Sequence, residues 1–217
     1  MKPLIIGGGG PSIQVGLDLG LWDKIKDKAE IWSVNYFAFT MPYLPTREIW
    51  CDRCFFTENQ HKLEELASKG VKCHTKCNSL YNNIPEIQQW SWTREQYFGR
   101  LDKPIFTGSM GLSGIFALSV AVAQRYAPIY LLGFDYGTSG MKDTHTHYYQ
   151  GKLVTTSHGV NNPSIYMTDT GVKASVHDFN VYKEYSDNIF NVSPTSNIQA
   201  FQKINYEQFF QALDKSA

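Results

Sequence analysis

The 217-residue sequence predicts an α/β fold, with a single Rossmann-like domain, a mainly parallel sheet and a long lid loop after the central strand. Two observations carry this prediction. Short apolar runs alternate with segments of helical periodicity, which is the order of elements found in parallel sheets. The run Ile129–Leu132 is continuously apolar and leads into Gly-Phe-Asp, as expected of a strand buried on both faces.

The elements follow one another from the N-terminus. A first strand at Leu4–Ile6 ends in four glycines, and apolar residues at helical spacing then predict a helix over Gln14–Ala29. Two short strands follow at Ile31–Asn35 and Glu48–Asp52, and a charged helix over Asn59–Ser68 is closed by a glycine. A short strand-like run occupies residues 71–73.

The second half repeats this alternation. Ser109–Gln124 is rich in small residues and predicts a helix that lies close against the sheet and leads into the strand at Ile129. A helix over His177–Asp187, a last strand over Ile189–Val192 and a closing helix over Tyr206–Leu213 complete the chain. With no repeat, linker or low-complexity tract, we expect one domain over residues 1–217. The tyrosine-rich segment 137–175 is predicted to act as a lid.

Charge and hydropathy exclude several classes of protein. The 20 basic and 20 acidic side chains balance, so no general attraction to nucleic acid or to a membrane surface is expected. The longest apolar stretch, residues 111–123, is interrupted by Ser113, Gly114 and Ser119 and is too short to span a bilayer. The N-terminus reaches glycine after three apolar residues, unlike a signal peptide. These features predict a soluble, cytoplasmic protein.

The glycine-rich turn is a candidate anion site. Backbone N–H groups of Gly8, Gly9 and Gly10 can approach a phosphate closely, and the following helix start, with Ser12 as a possible cap, adds a partial positive charge. The spacing matches neither the dinucleotide fingerprint nor a P-loop. We therefore expect a nucleotide or phosphate contact here, and a flexible strand–helix connection is the alternative.

The four cysteines form two closely spaced pairs, Cys51 with Cys54 and Cys73 with Cys77. Pairs at this separation are typical of structural zinc sites, in which four thiolates complete a tetrahedron. His74 is a possible substitute ligand. The alternative is four buried or half-buried thiols, since disulfides are not expected in a reducing cytoplasm.

A carboxylate and a histidine form the candidate catalytic pair. Asp135 follows the central strand, and ligands of open α/β sheets bind at the carboxyl ends of strands. His145 and His147 lie ten and twelve residues further on, and a histidine is suited to act as a general base at neutral pH. We favour His147 as the base. The two histidines are otherwise metal ligands with Asp135, or simply polar loop residues.

Several short segments, in the same order along the chain, resemble those of a known family. They are Ile5–Ser12, Val34–Phe37, Ser113-Gly114, Ile129–Tyr136, His147-Tyr148 and Ser193–Ser196. On these segments the sequence resembles the bacterial lipooligosaccharide sialyltransferases and their relatives, which include motility-associated glycosyltransferases and 6-hydroxymethylpterin pyrophosphokinase-like proteins.

The resemblance implies a nucleotide-sugar-dependent glycosyltransferase that uses a CMP-linked donor, needs no metal and works by single displacement. It implies that His147 is the base and that a tyrosine hydroxyl binds the leaving phosphate. The residues implied to touch the nucleotide or sugar are Gly9, Gly10, Ser12, Asn35, Ser113 and Gly114, and the tyrosines are Tyr136, Tyr148 and Tyr149. The chain departs from the family in its first glycine loop, where the family has an asparagine. It departs again at Asp52, which aligns with a family asparagine, and in its cysteines.

Two other functions stay open. An ATP-dependent pyrophosphokinase of the pterin type would need magnesium, for which Asp135 and Asp52 are candidate ligands. A non-catalytic, zinc-stabilised nucleotide-binding protein would keep the scaffold without the chemistry. The expected partners are a nucleotide or nucleotide sugar and a glycan or small-molecule acceptor, with a homo-oligomer also open.

Overall fold

The computed structural model describes residues 2–75, 87–89, 113–136 and 176–216. Its centre is an eight-stranded sheet with the order β5-β4-β3-β2-β1-β6-β7-β8, and every neighbouring pair in it is parallel. The strands are β1 Leu4–Gly7, β2 Glu30–Val34, β3 Arg47–Trp50, β4 Lys72–Thr75, β5 Ile87–Gln89, β6 Ile129–Leu132, β7 Ile189–Asn191 and β8 Gln202–Lys203. The predicted α/β class and mainly parallel sheet are confirmed.

Helices cover both faces of the sheet. They are α1 Ser12–Asp18, α2 Leu21–Ile25, α3 Arg53–Ser68, α4 Ser113–Ala123 and α5 Tyr206–Ser216, with 3-10 helices at Asn35–Thr40 and Phe179–Asn188. Successive side chains of a strand point to opposite faces, so each strand contributes to two cores. One core contains α4 and the second 3-10 helix, and the other face carries α1, α2, α3, α5 and the first 3-10 helix.

Helix α4 shows why its small residues are needed. All eleven of its residues are buried, including Ser113 and Gly114 at its start. A β-carbon on Gly114 would lie 2.8 Å from Cε1 of Phe134, the residue that follows the turn after β6. The helix therefore lies against the strand ends more closely than a larger side chain would allow, as its composition predicted.

The first predicted helix is broken into two. Gly20 separates α1 from α2 and has a left-handed backbone with φ 78°, a conformation that glycine adopts without steric cost. The prediction of a continuous helix over residues 14–29 was therefore wrong. Val15 and Leu19, which were counted as part of its apolar face, are 54% and 37% exposed.

The described part of the chain contains no helix that is long and apolar enough to cross a membrane.

Candidate functional site

The strand order reverses between β1 and β6. Successive strands from β1 to β5 extend the sheet to one side, whereas β6, β7 and β8 extend it to the other. The turns that follow β1 and β6 therefore lie side by side at the carboxyl edge. Two backbone hydrogen bonds join them, from Gly8 N to Leu132 O at 2.8 Å and from Gly10 N to Gly133 O at 2.9 Å. This is the topological position where ligands bind in open α/β sheets.

The Asp135 carboxylate joins three parts of this edge. Its Oδ2 accepts hydrogen bonds from the Ser12 backbone N–H at 3.2 Å and from the Ser12 hydroxyl at 2.9 Å. Its Oδ1 accepts a short hydrogen bond from the Ser193 hydroxyl, beyond β7. Asp135 is only 3% exposed, and both of its oxygens are engaged by the protein. The Asp135 carboxylate therefore caps the start of α1. The sequence had suggested Ser12 as the cap and an external anion at this helix start, whereas here the Ser12 hydroxyl donates to Asp135.

Close packing against Asp135 explains one glycine of the turn. A β-carbon on Gly10 would lie 1.9 Å from Asp135 Oδ2 and 2.6 Å from Gly133 O. No side chain fits at that position without displacing the carboxylate. Gly8 is less restricted, since its β-carbon would lie 3.1 Å from Gly133 O. Gly8 is buried, whereas Gly9 and Gly10 are half-buried.

The other predicted binding residues lie at the same edge. Asn35 follows β2 directly and has a left-handed backbone with φ 57°. Asp52 is exposed and precedes α3. Ser113 begins α4, and its hydroxyl oxygen accepts a hydrogen bond of 2.9 Å from the backbone N–H of Cys51. The ends of β2 and β3 and the start of α4 thus supply these side chains beside the two joined turns.

Tyr136 lies at the junction of β6 and α4. Its ring packs edge-on against Phe179, with centroids 5.1 Å apart, and its hydroxyl lies 3.3 Å from the point where a β-carbon of Gly114 would be. Burial raises the pKa of Tyr136, and the nearby Asp178 and Cys51 raise it further. The phenol is therefore neutral at physiological pH and can donate a hydrogen bond.

A set of polar residues that sequence reasoning did not select holds this segment from the other side. The Asn191 side-chain amide donates to Phe134 O at 3.1 Å, and the Ser196 hydroxyl donates to the same carbonyl at 2.7 Å. Asn197 donates its backbone N–H to Asp135 O and its side-chain amide to Tyr136 O, each at 3.0 Å. The signal was present in the sequence, because Asn191 interrupts an apolar strand at its carboxyl end.

Two of the four predicted zinc ligands, Cys51 and Cys73, lie apart in the described part of the chain. Cys51 belongs to the core beneath α4, whereas Cys73 belongs to the core beneath α3 on the opposite face of the sheet. Four thiolates around one ion must converge on a point, and these two side chains point apart. Burial raises the pKa of Cys73 to about 12, so this residue is a neutral thiol. The described residues include no cluster of His, Cys, Asp and Glu that could hold a metal ion.

His74, the proposed substitute ligand, also has another environment. It is buried on β4, and its Nε2 lies 3.4 Å from a guanidinium nitrogen of Arg47. Burial, followed by the charges of Arg47 and Lys72, lowers the pKa of His74 to about 3. The imidazole is neutral and forms part of the sheet interior.

The remaining predicted residues lie outside the described part of the chain. These are His145, His147, Tyr148, Tyr149, Cys77, the Cys54 side chain and the proposed lid over residues 137–175.

Comparisons with known proteins identify the fold. No family model matches the sequence, and no curated protein matches it. Among solved structures, the chain is similar to the sialyltransferase CstII from Campylobacter jejuni in complex with a substrate analogue, CMP-3FNeuAc. That similarity has a TM-score of 0.58 and 15% identity and covers 94% of this chain and 86% of that one. CST-II in complex with a trisaccharide acceptor and CMP gives a TM-score of 0.52 at 17% identity over the same shares.

A second glycosyltransferase has the same fold. The MAf glycosyltransferase from Magnetospirillum magneticum AMB-1 matches with a TM-score of 0.55 and 12% identity, over 99% of this chain and 36% of that one. These likenesses agree with two of the groups that the sequence resembles, and no pyrophosphokinase stands among them. The chain therefore has a sialyltransferase-like glycosyltransferase fold.

Proposed function

We propose that this protein is a nucleotide-sugar-dependent glycosyltransferase whose CMP-linked donor binds at the carboxyl edge between β1 and β6. The observation that carries the proposal is that Gly9, Gly10, Asn35, Asp52 and Ser113 all lie at the carboxyl edge of the sheet, on the elements that follow β1, β2 and β3 and at the start of α4. The CMP-bound sialyltransferase structures share this fold, which supports a nucleotide-sugar donor.

The site supplies groups suited to a nucleotide sugar. Half-buried glycines let the nucleotide approach the backbone, and the Asn35 and Ser113 side chains offer hydrogen bonds to its base or sugars. The neutral Tyr136 hydroxyl is a donor for the leaving phosphate. Asp52 places a carboxylate at this edge, and a carboxylate is a natural acceptor for sugar hydroxyls.

The proposed reaction is a single displacement. His147 takes the proton of the acceptor hydroxyl while that oxygen forms a bond to the anomeric carbon of the donor sugar. The bond between the anomeric carbon and the phosphate oxygen breaks, and the nucleotide leaves with that electron pair. Tyr136 and Tyr148 donate hydrogen bonds to the departing phosphate. The acceptor is a glycan or small molecule with a free hydroxyl.

Asp135 acts in this proposal as a positioning residue. Because Ser12 and Ser193 already engage both of its oxygens, its carboxylate fixes the glycine turn and is poorly placed to hold magnesium. This arrangement favours glycosyl transfer without a metal over magnesium-dependent pyrophosphoryl transfer.

A thermal-shift panel with CMP, UDP, GDP and ATP, each with and without magnesium, tests the proposal. A ligand that binds only the folded protein raises the melting temperature, so we expect CMP to stabilise it without metal. Stabilisation by ATP alone, and only with magnesium, would favour the pyrophosphokinase. No response to any nucleotide would refute a nucleotide-dependent transferase.

A variant then tests the base. We expect His147→Ala to lower transfer from CMP-sugars about 10²- to 10⁴-fold while CMP still raises the melting temperature. His61→Ala is the matched control, because this histidine lies exposed on α3. Turnover by His147→Ala at the wild-type rate would remove His147 from the mechanism. CMP binding with no transfer from any CMP-sugar would point to a non-catalytic nucleotide-binding protein.

A further inference from the structure

A glutamate that the proposed reaction does not use is buried beside the site. Glu48 lies on β3 with 0% exposure, and its register neighbours are Ser33 on β2 and Cys73 on β4. Carboxylates are rarely buried without a partner, because desolvation of the charge is costly. None of the described residues forms a salt bridge with Glu48, and neither of its oxygens has a hydrogen bond of ordinary geometry with them.

The surroundings of Glu48 favour its uncharged form. Burial raises the pKa of Glu48 well above its ordinary value, and two polar neighbours, the Ser33 hydroxyl and the backbone N–H of Asn35, oppose that rise. The titratable group that faces it from the neighbouring strand is the Cys73 thiol, whose pKa is itself raised. A neutral carboxyl has a carbonyl oxygen that accepts and a hydroxyl that donates. Glu48 can therefore accept from the Asn35 N–H and donate to Ser33.

Asn35 is the link between this buried acid and the site. Its left-handed backbone is a conformation that costs a residue other than glycine free energy and recurs at functional positions. Asn35 is half-buried, and its Oδ1 is a buried atom without a hydrogen-bond partner among the described residues. Asn35 follows β2 directly, so its amide is a polar group at the carboxyl edge of the sheet.

We infer that Glu48 is a positioning residue, whose buried carboxyl holds the Asn35 backbone in its left-handed conformation and so directs the Asn35 amide toward the nucleotide sugar. The inference rests on the proposed function for the identity of the ligand. The effect of Glu48 on the backbone of Asn35 does not depend on that function. If position 48 had only a structural role, an apolar side chain would stabilise this buried position at least as well as a carboxyl group. Positioning of Asn35 therefore accounts for the presence of an acid there.

Two substitutions at one position separate positioning from structural support. Glu48→Gln keeps a neutral acceptor of the same shape, whereas Glu48→Met fills the space with an apolar chain and removes the acceptor. Removing a buried polar group without ordinary partners should leave the melting temperature of the Met variant at or above the wild-type value. We expect CMP to bind the Met variant about tenfold more weakly and the Gln variant within about twofold of wild type.

A second readout needs no ligand. Amide hydrogen exchange followed by NMR should show faster exchange of the Asn35 N–H in Glu48→Met and wild-type exchange in Glu48→Gln. Glu30→Met is the matched control, because Glu30 is a half-buried glutamate at the opposite end of the neighbouring strand. Its loss should lower the melting temperature, since Trp32 and Tyr126 donate hydrogen bonds to it, without changing CMP affinity.

The outcomes decide between the two proposals. Wild-type Asn35 exchange in Glu48→Met would overturn the inference whether or not CMP binds. A CMP affinity unchanged in Glu48→Met, or in Asn35→Gly, which keeps the left-handed backbone but removes the side chain, would overturn it also. Failure of the wild-type protein to bind CMP would refute the proposed function, and the exchange data would still decide the role of Glu48.

Discussion

The Asp135 carboxylate offers the sharpest test of how this site is built. It accepts three hydrogen bonds, two from Ser12 and one from Ser193, and thereby connects the turn after β1 with the segment after β7. The perturbation is the pair Asp135→Asn and Asp135→Ala. Asparagine keeps the shape and one acceptor oxygen but loses the charge, whereas alanine removes all three hydrogen bonds and leaves a void.

The expected magnitudes follow from these contacts. A hydrogen bond to a charged group contributes about 1.5–3 kcal/mol, and a buried donor left without its acceptor costs about 1–3 kcal/mol. In Asp135→Asn the amide oxygen can face the two Ser12 donors and the Ser193 hydroxyl can rotate to accept, so we expect a loss of about 1.5–3 kcal/mol. In Asp135→Ala no such compensation exists, and we expect about 3–5 kcal/mol.

The assay is urea unfolding at neutral pH, with the midpoint and slope fitted for each variant. Asp18→Ala is the control, since Asp18 is an exposed carboxylate that accepts a hydrogen bond from Gln14 within α1, and its loss should change stability by less than about 0.5 kcal/mol. Ser193→Ala and the double variant complete a cycle in which we expect a coupling of about 1–3 kcal/mol between Asp135 and Ser193. A loss below about 1 kcal/mol in Asp135→Ala, or a coupling near zero, would refute the role given to this carboxylate.

Three further predictions concern the glycine turn, two buried titratable groups and the cysteines. Gly10→Ala should lower the free energy of unfolding in urea by about 1–3 kcal/mol and weaken CMP binding, because its β-carbon would displace Asp135. Gly20→Ala is the control, because a β-carbon there meets no atom within 4 Å. It should cost only the strain of its left-handed backbone, about 1 kcal/mol, and leave CMP binding intact. Stability should change with pH in opposite senses at two buried groups, which unfolding at a series of pH values in Glu48→Gln and His74→Gln will separate. The raised pKa of Glu48 makes the folded state bind the extra proton, so stability is full below about pH 4.3 and falls by about 1.4 kcal/mol per pH unit above it, until the folded pKa is reached. The lowered pKa of His74, about 3, makes the unfolded state bind the extra proton, so stability falls as pH drops from about 6.5 towards 3. Elemental analysis should find no stoichiometric zinc, and a chelator should leave the melting temperature unchanged, since Cys51 and Cys73 lie on opposite faces of the sheet; one zinc per chain would contradict this placement.

Local sequence patterns predicted much of this fold because they report burial directly. The apolar run at Ile129–Leu132 is typical of a strand covered on both faces, and the small residues of the predicted helix Ser109–Gln124 favour close contact with that sheet, as the observed helix Ser113–Ala123 shows. Asp135 was found for the same reason, since a polar residue directly after a buried strand must lie at its carboxyl end. The break at Gly20 was missed because a glycine within a helical pattern does not by itself show whether the backbone becomes left-handed.

By itself, then, the sequence determined the α/β class, the parallel strands and the edge of the sheet at which polar side chains gather, because hydrophobic periodicity and turn residues act over short stretches of chain. Only the tertiary structure decided which groups meet. The hydrogen bonds of Asp135 reach Ser12 and Ser193, more than fifty residues away on either side, and strand register pairs Glu48 with Ser33, two residues before Asn35. The cysteine pairs look alike along the chain, yet strand alternation places Cys51 and Cys73 on opposite faces, because a shift of one residue in a strand reverses the direction of a side chain.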